Sequence, residues 1–474
     1  MSHDDLLKRT TDLALEFLDG LPERRVGQAA SAGELRAALG GPLPEEGTDA
    51  REVIEHLARA ADPGLIGTAG PRYFGFVIGG HVPAALAADW LTSTWDQNAG
   101  LYVTSPANSV VEEAAAGWLL ELLGLPSTAS LGFTTGCSMA NFTALAAARH
   151  AVLARLGWDV ERDGLFGAPP IEVVIGNEAH ATILTALQML GLGRERVKRV
   201  AVDGQGRMVP AALREMLAGG DGPLIVCAQA GNVDTGAFDP LEEIVPIVRE
   251  SREGGGWLHV DGAFGLWAAT VPELAHLVRG AAEADSWATD AHKWLNVPYD
   301  SGIVAVAHPG PHRAAMTISA AYLVQTEGHE RDPFDWVPEF SRRARGFTVW
   351  AALKSLGRTG VAGMVERGCA MARRFADRLR EEPGVEILNE VVLNQVLVRF
   401  HRPGGPAEAA DPGSLDALTR DVIARVQADG TCWLSGTTWQ GKAAMRISVS
   451  SWATAEADVD ASAAAILRSF RAAC

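Results

Sequence analysis

Lys293, in the run Ser286-Trp-Ala-Thr-Asp-Ala-His-Lys-Trp, and Asp261, in Trp257-Leu-His-Val-Asp-Gly-Ala, are the residues whose types and setting most directly imply chemistry. Each follows a strand-like apolar segment. A lysine amine forms a Schiff base with a cofactor aldehyde, and a carboxylate holds a pyridine nitrogen protonated so that the ring accepts electrons. The pair therefore predicts pyridoxal 5'-phosphate (PLP) as cofactor. Only five of the 41 basic residues are lysines. Lys8 and Lys198 adjoin arginines and read as solvated charge, Lys354 lies on one face of a helical pattern, and Lys442 follows a glycine at a turn. Lys293 alone stands between an imidazole and an indole at the end of a strand.

Further candidates gather around this pair. Thr134-Thr-Gly-Cys-Ser-Met-Ala-Asn places Gly136, Cys137 and Ser138 at a glycine turn that opens a helix. Free N–H groups there make a phosphate cradle, although Ser138 also fits a plain helix cap. His180 follows Ile175-Gly-Asn-Glu-Ala and precedes a helix. It reads either as an imidazole that stacks on the pyridine ring or as a residue of the helix start. His259 and His292 flank the key pair; His259 is expected to face away from the site that Asp261 enters, and His292 to donate to the phosphate. Their spacing matches no metal site. Arg446, among apolar residues in Ala443-Ala-Met-Arg-Ile-Ser, calls for a carboxylate partner, either the substrate or a structural aspartate. Trp90, Trp95, Trp433 and Trp439 read mainly as core residues.

The elements that must position these residues form an α/β pattern. Candidate strands at Glu172–Ile175, Leu224–Ala228, Trp257–Val260, Ser286–Thr289 and Ile303–Ala307 alternate with helical patterns at about 138–156, 181–191, 209–218, 240–252 and 272–281. Such alternation predicts a large, mostly parallel sheet covered on both faces, with ligands at the carboxyl ends of its strands. Helical patterns at 4–19 and 50–61, separated by a Gly/Pro-rich stretch, look too small for a core of their own and predict packing against a second subunit. Beyond Trp350 the pattern becomes that of a small α+β domain. The expected division is 1–76 (N-terminal helical dimerisation segment), 77–345 (large PLP-binding domain) and 346–474 (small C-terminal domain).

Composition bounds the partners. The net charge of −17 argues against nucleic acid and anionic membranes. Five scattered cysteines form neither a disulfide framework nor a zinc spacing, and the charged N-terminus has no apolar core of signal-peptide length. A cytoplasmic enzyme acting on a small molecule is the expectation.

These residues, in this order, resemble the group II PLP-dependent amino-acid decarboxylases, which include the aromatic-amino-acid and glutamate decarboxylases. The resemblance runs from about Pro71 to the C-terminus. Its anchors are Pro71-Arg-Tyr-Phe, Thr134–Asn141, Asn177-Glu-Ala-His, Gly236-Ala-Phe-Asp-Pro, His259-Val-Asp-Gly-Ala, His292-Lys-Trp, Ser341-Arg-Arg and Arg446-Ile-Ser. It implies a fold-type-I, PLP-dependent transferase-like architecture assembled as a homodimer. By the same resemblance Lys293 is the Schiff-base lysine, Asp261 the pyridinium partner, and His180 the stacking histidine. Ala263 touches the ring, while Gly136, Cys137, Ser138, Asp290 and His292 surround the phosphate. Arg446, Phe334 and Asn98 are the residues expected at the substrate.

The chain also departs from that family. Gly231-Asn-Val-Asp-Thr replaces its Gly-Thr-Thr stretch, and Ala291 replaces the proline before His-Lys. The family's mobile loop carries a tyrosine that returns a proton after CO2 leaves, and no tyrosine occurs from Leu323 to Ser341. Counting back from Ser341, the position falls on Pro333 or Phe334, with His329 the nearest other acid. Relatives with phenylalanine there divert to an aldehyde by oxidative deamination. The readings are therefore amino-acid decarboxylation to the amine, an aldehyde synthase, a PLP-dependent carbon–carbon lyase, or a protein that only stores PLP.

Overall fold

The computed structural model describes residues 3–317, 330–403 and 411–474. By internal contacts the chain divides into two units: 79–372 with 389–396, and 1–78 with 373–388 and 397–474.

The larger unit is built on a seven-stranded sheet. Its strands are β1 (Ser130–Thr134), β2 (Glu172–Gly176), β3 (Lys198–Val200), β4 (Leu224–Gln229), β5 (Trp257–Asp261), β6 (Ser286–Asp290) and β7 (Gly302–Val306), in the order β1-β7-β6-β5-β4-β2-β3. All neighbouring pairs are parallel except those made by β7, which runs against β1 and β6. The central strands are buried along their whole length, as two covered faces require. The Cys137–Ala154 helix lies across β5, β6 and β7. Its buried face is mostly alanine (Ala140, Ala144, Ala147, Ala148 and Ala151), so its backbone approaches the sheet closely. These alanines thus pack as well as favouring helix.

Two strands and one helical segment differ from expectation. β1 carries a glycine and no alternating pattern, and β3 has only three residues, two of them charged, so neither was legible. The 272–281 stretch is not an α-helix: it forms short 3-10 turns at Ala275–Val278 and Ala281–Glu283, separated by Gly280 in a left-handed conformation. A long helix, Gly346–Arg380, follows, with non-helical Gly357 (φ +62°) inside it.

The smaller unit carries most of a four-stranded sheet: β8 (Val385–Ile387), β9 (Gln395–Phe400), β10 (Ser435–Trp439) and β11 (Lys442–Ser448), ordered β10-β11-β9-β8. The chain enters it early. Phe74 donates its N–H to Trp433 O and accepts from Ser448 N, while Tyr73 stacks on Trp433 at 5.1 Å. These contacts make residues 1–78 and the C-terminal segment one body. Among the described residues no helix is long and apolar enough to cross a membrane.

Candidate active site

The carboxyl edge of the large sheet collects the charged residues. β5 ends at Asp261 and β6 at Asp290, both buried; β1 leads through Gly136 into the Cys137–Ala154 helix; β2 leads to His180. Because β7 runs backwards, its first residue, Gly302, lies at this same edge, opposite Asp290 and Thr134. A Cβ on Gly302 would come within 2.4 Å of the Gly136 backbone, so the close approach of these two turns demands glycine.

Asp290 organises one side. Its Oδ1 accepts the Cys137 N–H at 2.6 Å, and its Oδ2 meets Lys293 Nζ at 2.9 Å. A carboxylate at a helix N-terminus is electrostatically favoured. Burial works against a charge on Lys293, but its neighbours, Asp290 first, raise its pKa above the ordinary lysine value. Lys293 is the one sheltered lysine; the other four are exposed. His292 stacks on Tyr299 at 4.4 Å and accepts the Ser301 N–H at Nδ1. Burial lowers its pKa despite Asp290, so the ring is neutral and presents N–H at Nε2.

Asp261 organises the other side. Its Oδ1 accepts from the Cys137 thiol at 3.4 Å and from the Ala263 N–H at 3.2 Å, and its Oδ2 from Asn141 Nδ2 at 3.2 Å. Burial, with Asp261 and Asp290 adding, drives the Cys137 pKa well up, so it remains a thiol and a donor. Cys137 therefore joins the two halves, with its N–H on Asp290 and its S–H on Asp261. His180 caps the Ala181–Met189 helix, its Nδ1 facing the Thr182 N–H and hydroxyl.

His259 corrects an expectation. It stands two residues before Asp261 on the same strand, and residues i and i+2 share a face. It therefore points towards the site's supporting layer, and its Nε2 lies 2.9 Å from Asn141 Oδ1. Asn141 and His259 are the buried polar residues that sequence reasoning missed; strand parity was the available signal.

The structure brings together Gly136, Cys137, Asp261, Ala263, Asp290, His292 and Lys293. Ser138 is exposed at the first helical turn, and its hydroxyl has no partner among the described residues. Phe334 is elsewhere in character: it is fully buried, edge-on to Phe340 at 5.4 Å, with its N–H on Gly100 O. Asn98 uses its Oδ1 to hold the Gly100 and Arg342 N–H groups. Arg446 lies on β11 opposite Ser435, in the smaller unit.

This set fits PLP: a single sheltered primary amine for the aldehyde, a buried carboxylate with three donors for the ring nitrogen, and a helix start with a free hydroxyl and an imidazole N–H for the phosphate. A Cβ on Gly136 would press on His292 Cε1 at 3.2 Å, which keeps that cradle small.

Residues 33–401 match the pyridoxal-dependent decarboxylase conserved domain. The chain is similar to an aromatic-L-amino-acid decarboxylase of Bacillus atrophaeus, 26% identical over 446 residues that span 93% of this chain and 89% of that protein. It is equally similar to a 4-hydroxyphenylacetaldehyde synthase of Rhodiola rosea, 26% identical over 466 residues (96% and 92%). Among solved structures, Oryza sativa TDC with PLP and tryptamine superposes with a TM-score of 0.91 over 100% of this chain and 99% of that one, at 24% identity.

Proposed function

Because the chain belongs to the pyridoxal-dependent decarboxylase family, carboxy-lyases whose cofactor is PLP, we propose that it converts an L-amino acid to the amine and CO2 with Lys293 carrying the cofactor. The observation that carries this reading is the one sheltered lysine placed beside Asp290, with Cys137 linking that pair to Asp261. When bound, the cofactor supplies a ring that takes up the charge left at the α-carbon as CO2 departs. Asp261, which accepts from three donors, would face the ring nitrogen and hold it protonated. His180 would stack on the ring and orient the substrate carboxylate, and Ala263 would contact the ring. Ser138, His292 and the first turn after Gly136 would hold the phosphate. Asn98 is assigned to the substrate.

The step after CO2 loss needs a proton at the α-carbon. Pro333 and Phe334 are buried and their turn is tied to Gly100, so neither stands where a moving donor would. His329 and Tyr322, the one tyrosine between Thr317 and Arg342, both lie outside the described residues.

A panel of the common L-amino acids, scored in air for CO2, amine, ammonia and peroxide, tests this. At least one substrate should give amine and CO2 in equal amounts without peroxide. Loss of the residue that returns the proton should divert part of the product to aldehyde, ammonia and peroxide, which His329→Gln and Tyr322→Phe test in turn, whereas Phe334→Tyr should leave the ratio unchanged. Aldehyde and peroxide matching CO2 from the unmodified enzyme would establish the synthase reading instead. Absence of CO2 from every amino acid would sink decarboxylation.

A further inference from the structure

Behind Asp261 lies a chain of buried polar side chains that the reaction as described does not use. Trp257 Nε1 donates to Ser286 Oγ at 2.9 Å, and Ser286 Oγ lies 2.9 Å from His259 Nδ1. His259 Nε2 lies 2.9 Å from Asn141 Oδ1, and Asn141 Nδ2 reaches Asp261 Oδ2 at 3.2 Å and Thr182 Oγ1 at 3.3 Å. Thr182 Oγ1 in turn lies 2.8 Å from His180 Nδ1.

The direction of every proton in this chain follows from its two ends. An indole N–H only donates, so Ser286 accepts from Trp257 and keeps its own hydrogen available for His259 Nδ1. Burial pushes the His259 pKa down to about 4, so the ring is neutral and its single N–H is on Nε2, aimed at Asn141 Oδ1. That fixes the amide: its NH2 faces the other way, one hydrogen to the Asp261 carboxylate, which only accepts, and one to Thr182. The Thr182 hydroxyl then donates to His180 Nδ1, which leaves the His180 proton on Nε2. A flipped Asn141 would set its carbonyl oxygen against Asp261 and leave His259 facing an N–H, so the arrangement has one consistent polarity.

We propose that Asn141, held by the Trp257–Ser286–His259 chain, is a positioning residue that keeps Asp261 an anion facing the cofactor ring and fixes the tautomer of His180. The inference rests on the assignment of Asp261 to the ring nitrogen. Donors on a carboxylate stabilise its charge. Without the Asn141 donor Asp261 becomes the stronger base and draws the proton away from the ring nitrogen.

The test uses holoenzyme reconstituted with PLP bearing 15N in its ring, whose nitrogen signal reports protonation directly. Asn141→Leu should move that signal towards the neutral-pyridine position and weaken PLP binding about tenfold, as expected for one lost hydrogen bond to a charged group. Ser286→Ala, two links removed, should move it part of the way. A merely structural role would change the unfolding temperature and leave the nitrogen signal in place. Asp261→Asn separates the two layers of the argument. If it shifts the signal while Asn141→Leu and Ser286→Ala do not, the relay is overturned and Asp261 stands. If Asp261→Asn leaves the signal unmoved, the assignment of Asp261 itself falls. Should Asn141→Leu fail to fold, Ser286→Ala decides alone, and an unshifted signal there overturns the proposal.

Discussion

Lys293 shows how much one side chain's setting decides. A lysine near the rim of a sheet is ordinarily solvated, yet here burial opposes its charge, and its neighbours, led by Asp290 at 2.9 Å, together more than offset that opposition. The amine is thereby held at a defined point instead of ranging over its four-carbon stem. Borohydride reduction of the PLP-bound enzyme followed by peptide mapping should place the pyridoxyl group on Lys293. Lys293→Ala should lose activity on the order of 10^3-fold or more, the scale of removing a nucleophile that acts with its partners. A label on any of the four exposed lysines would overturn the assignment.

At the scale of elements, the site depends on turns that approach more closely than side chains allow. Gly302, at the start of β7, and Gly136, at the helix entry, have backbones so close that a Cβ on Gly302 would sit 2.4 Å from Gly136. Neither atom belongs to a flexible side chain, so relief requires one turn to move. Gly302→Ala should therefore cost about 1–3 kcal/mol of stability, as overpacking does, and release PLP faster on gel filtration. Unchanged cofactor retention would show that the cradle tolerates displacement. The sequence made part of this edge legible for a physical reason. Asp261 and Asp290 end strand-like segments rich in apolar residues, and a charge after such a run marks a strand's exit from the core. The Gly302–Gly136 contact is non-local, as is Asn141's link to His259, and no local pattern records either. β3 escaped because two of its three residues are charged and exposed at the sheet's margin, and Phe334 misled because counting along a sequence cannot distinguish a buried turn from a moving loop.

For the whole molecule, two observations bear on association and on acid. The helices His3–Gly20, Ala32–Leu39 and Ala50–Ala61 bury no residue fully, and Leu7, Leu15, Val53 and Leu57 are each about half exposed. A homodimer would cover such faces, and light scattering should give twice the 50.1 kDa chain mass; a fully active monomer would exclude it. Acid acts most strongly through three buried groups, with His292 and His81, which burial also lowers, adding in one direction and Glu178, which burial raises, in the other. Burial pushes His259 down to about 4 and His312 down to about 3, so both are neutral in the folded protein. Unfolded histidines titrate near 6.5, so below that pH unfolding takes up close to two protons at these sites. Asp239 opposes them. Burial raises it to about 6 although the Met208 and Gln229 N–H groups bond to it, so between pH 4 and 6 unfolding releases close to one proton there. The balance is about one proton taken up, which corresponds to about 1.4 kcal/mol lost per pH unit as pH falls from 6 towards 4. Urea unfolding at pH 6.5, 5.5 and 4.5 should show that decline, and Asp239→Asn should steepen it towards twice the slope by removing the opposing group. A flat or rising stability over this range would mean that His259 or His312 is protonated in the folded state; for His259 that would also remove the fixed proton polarity of the chain that runs from Trp257 to Asp261.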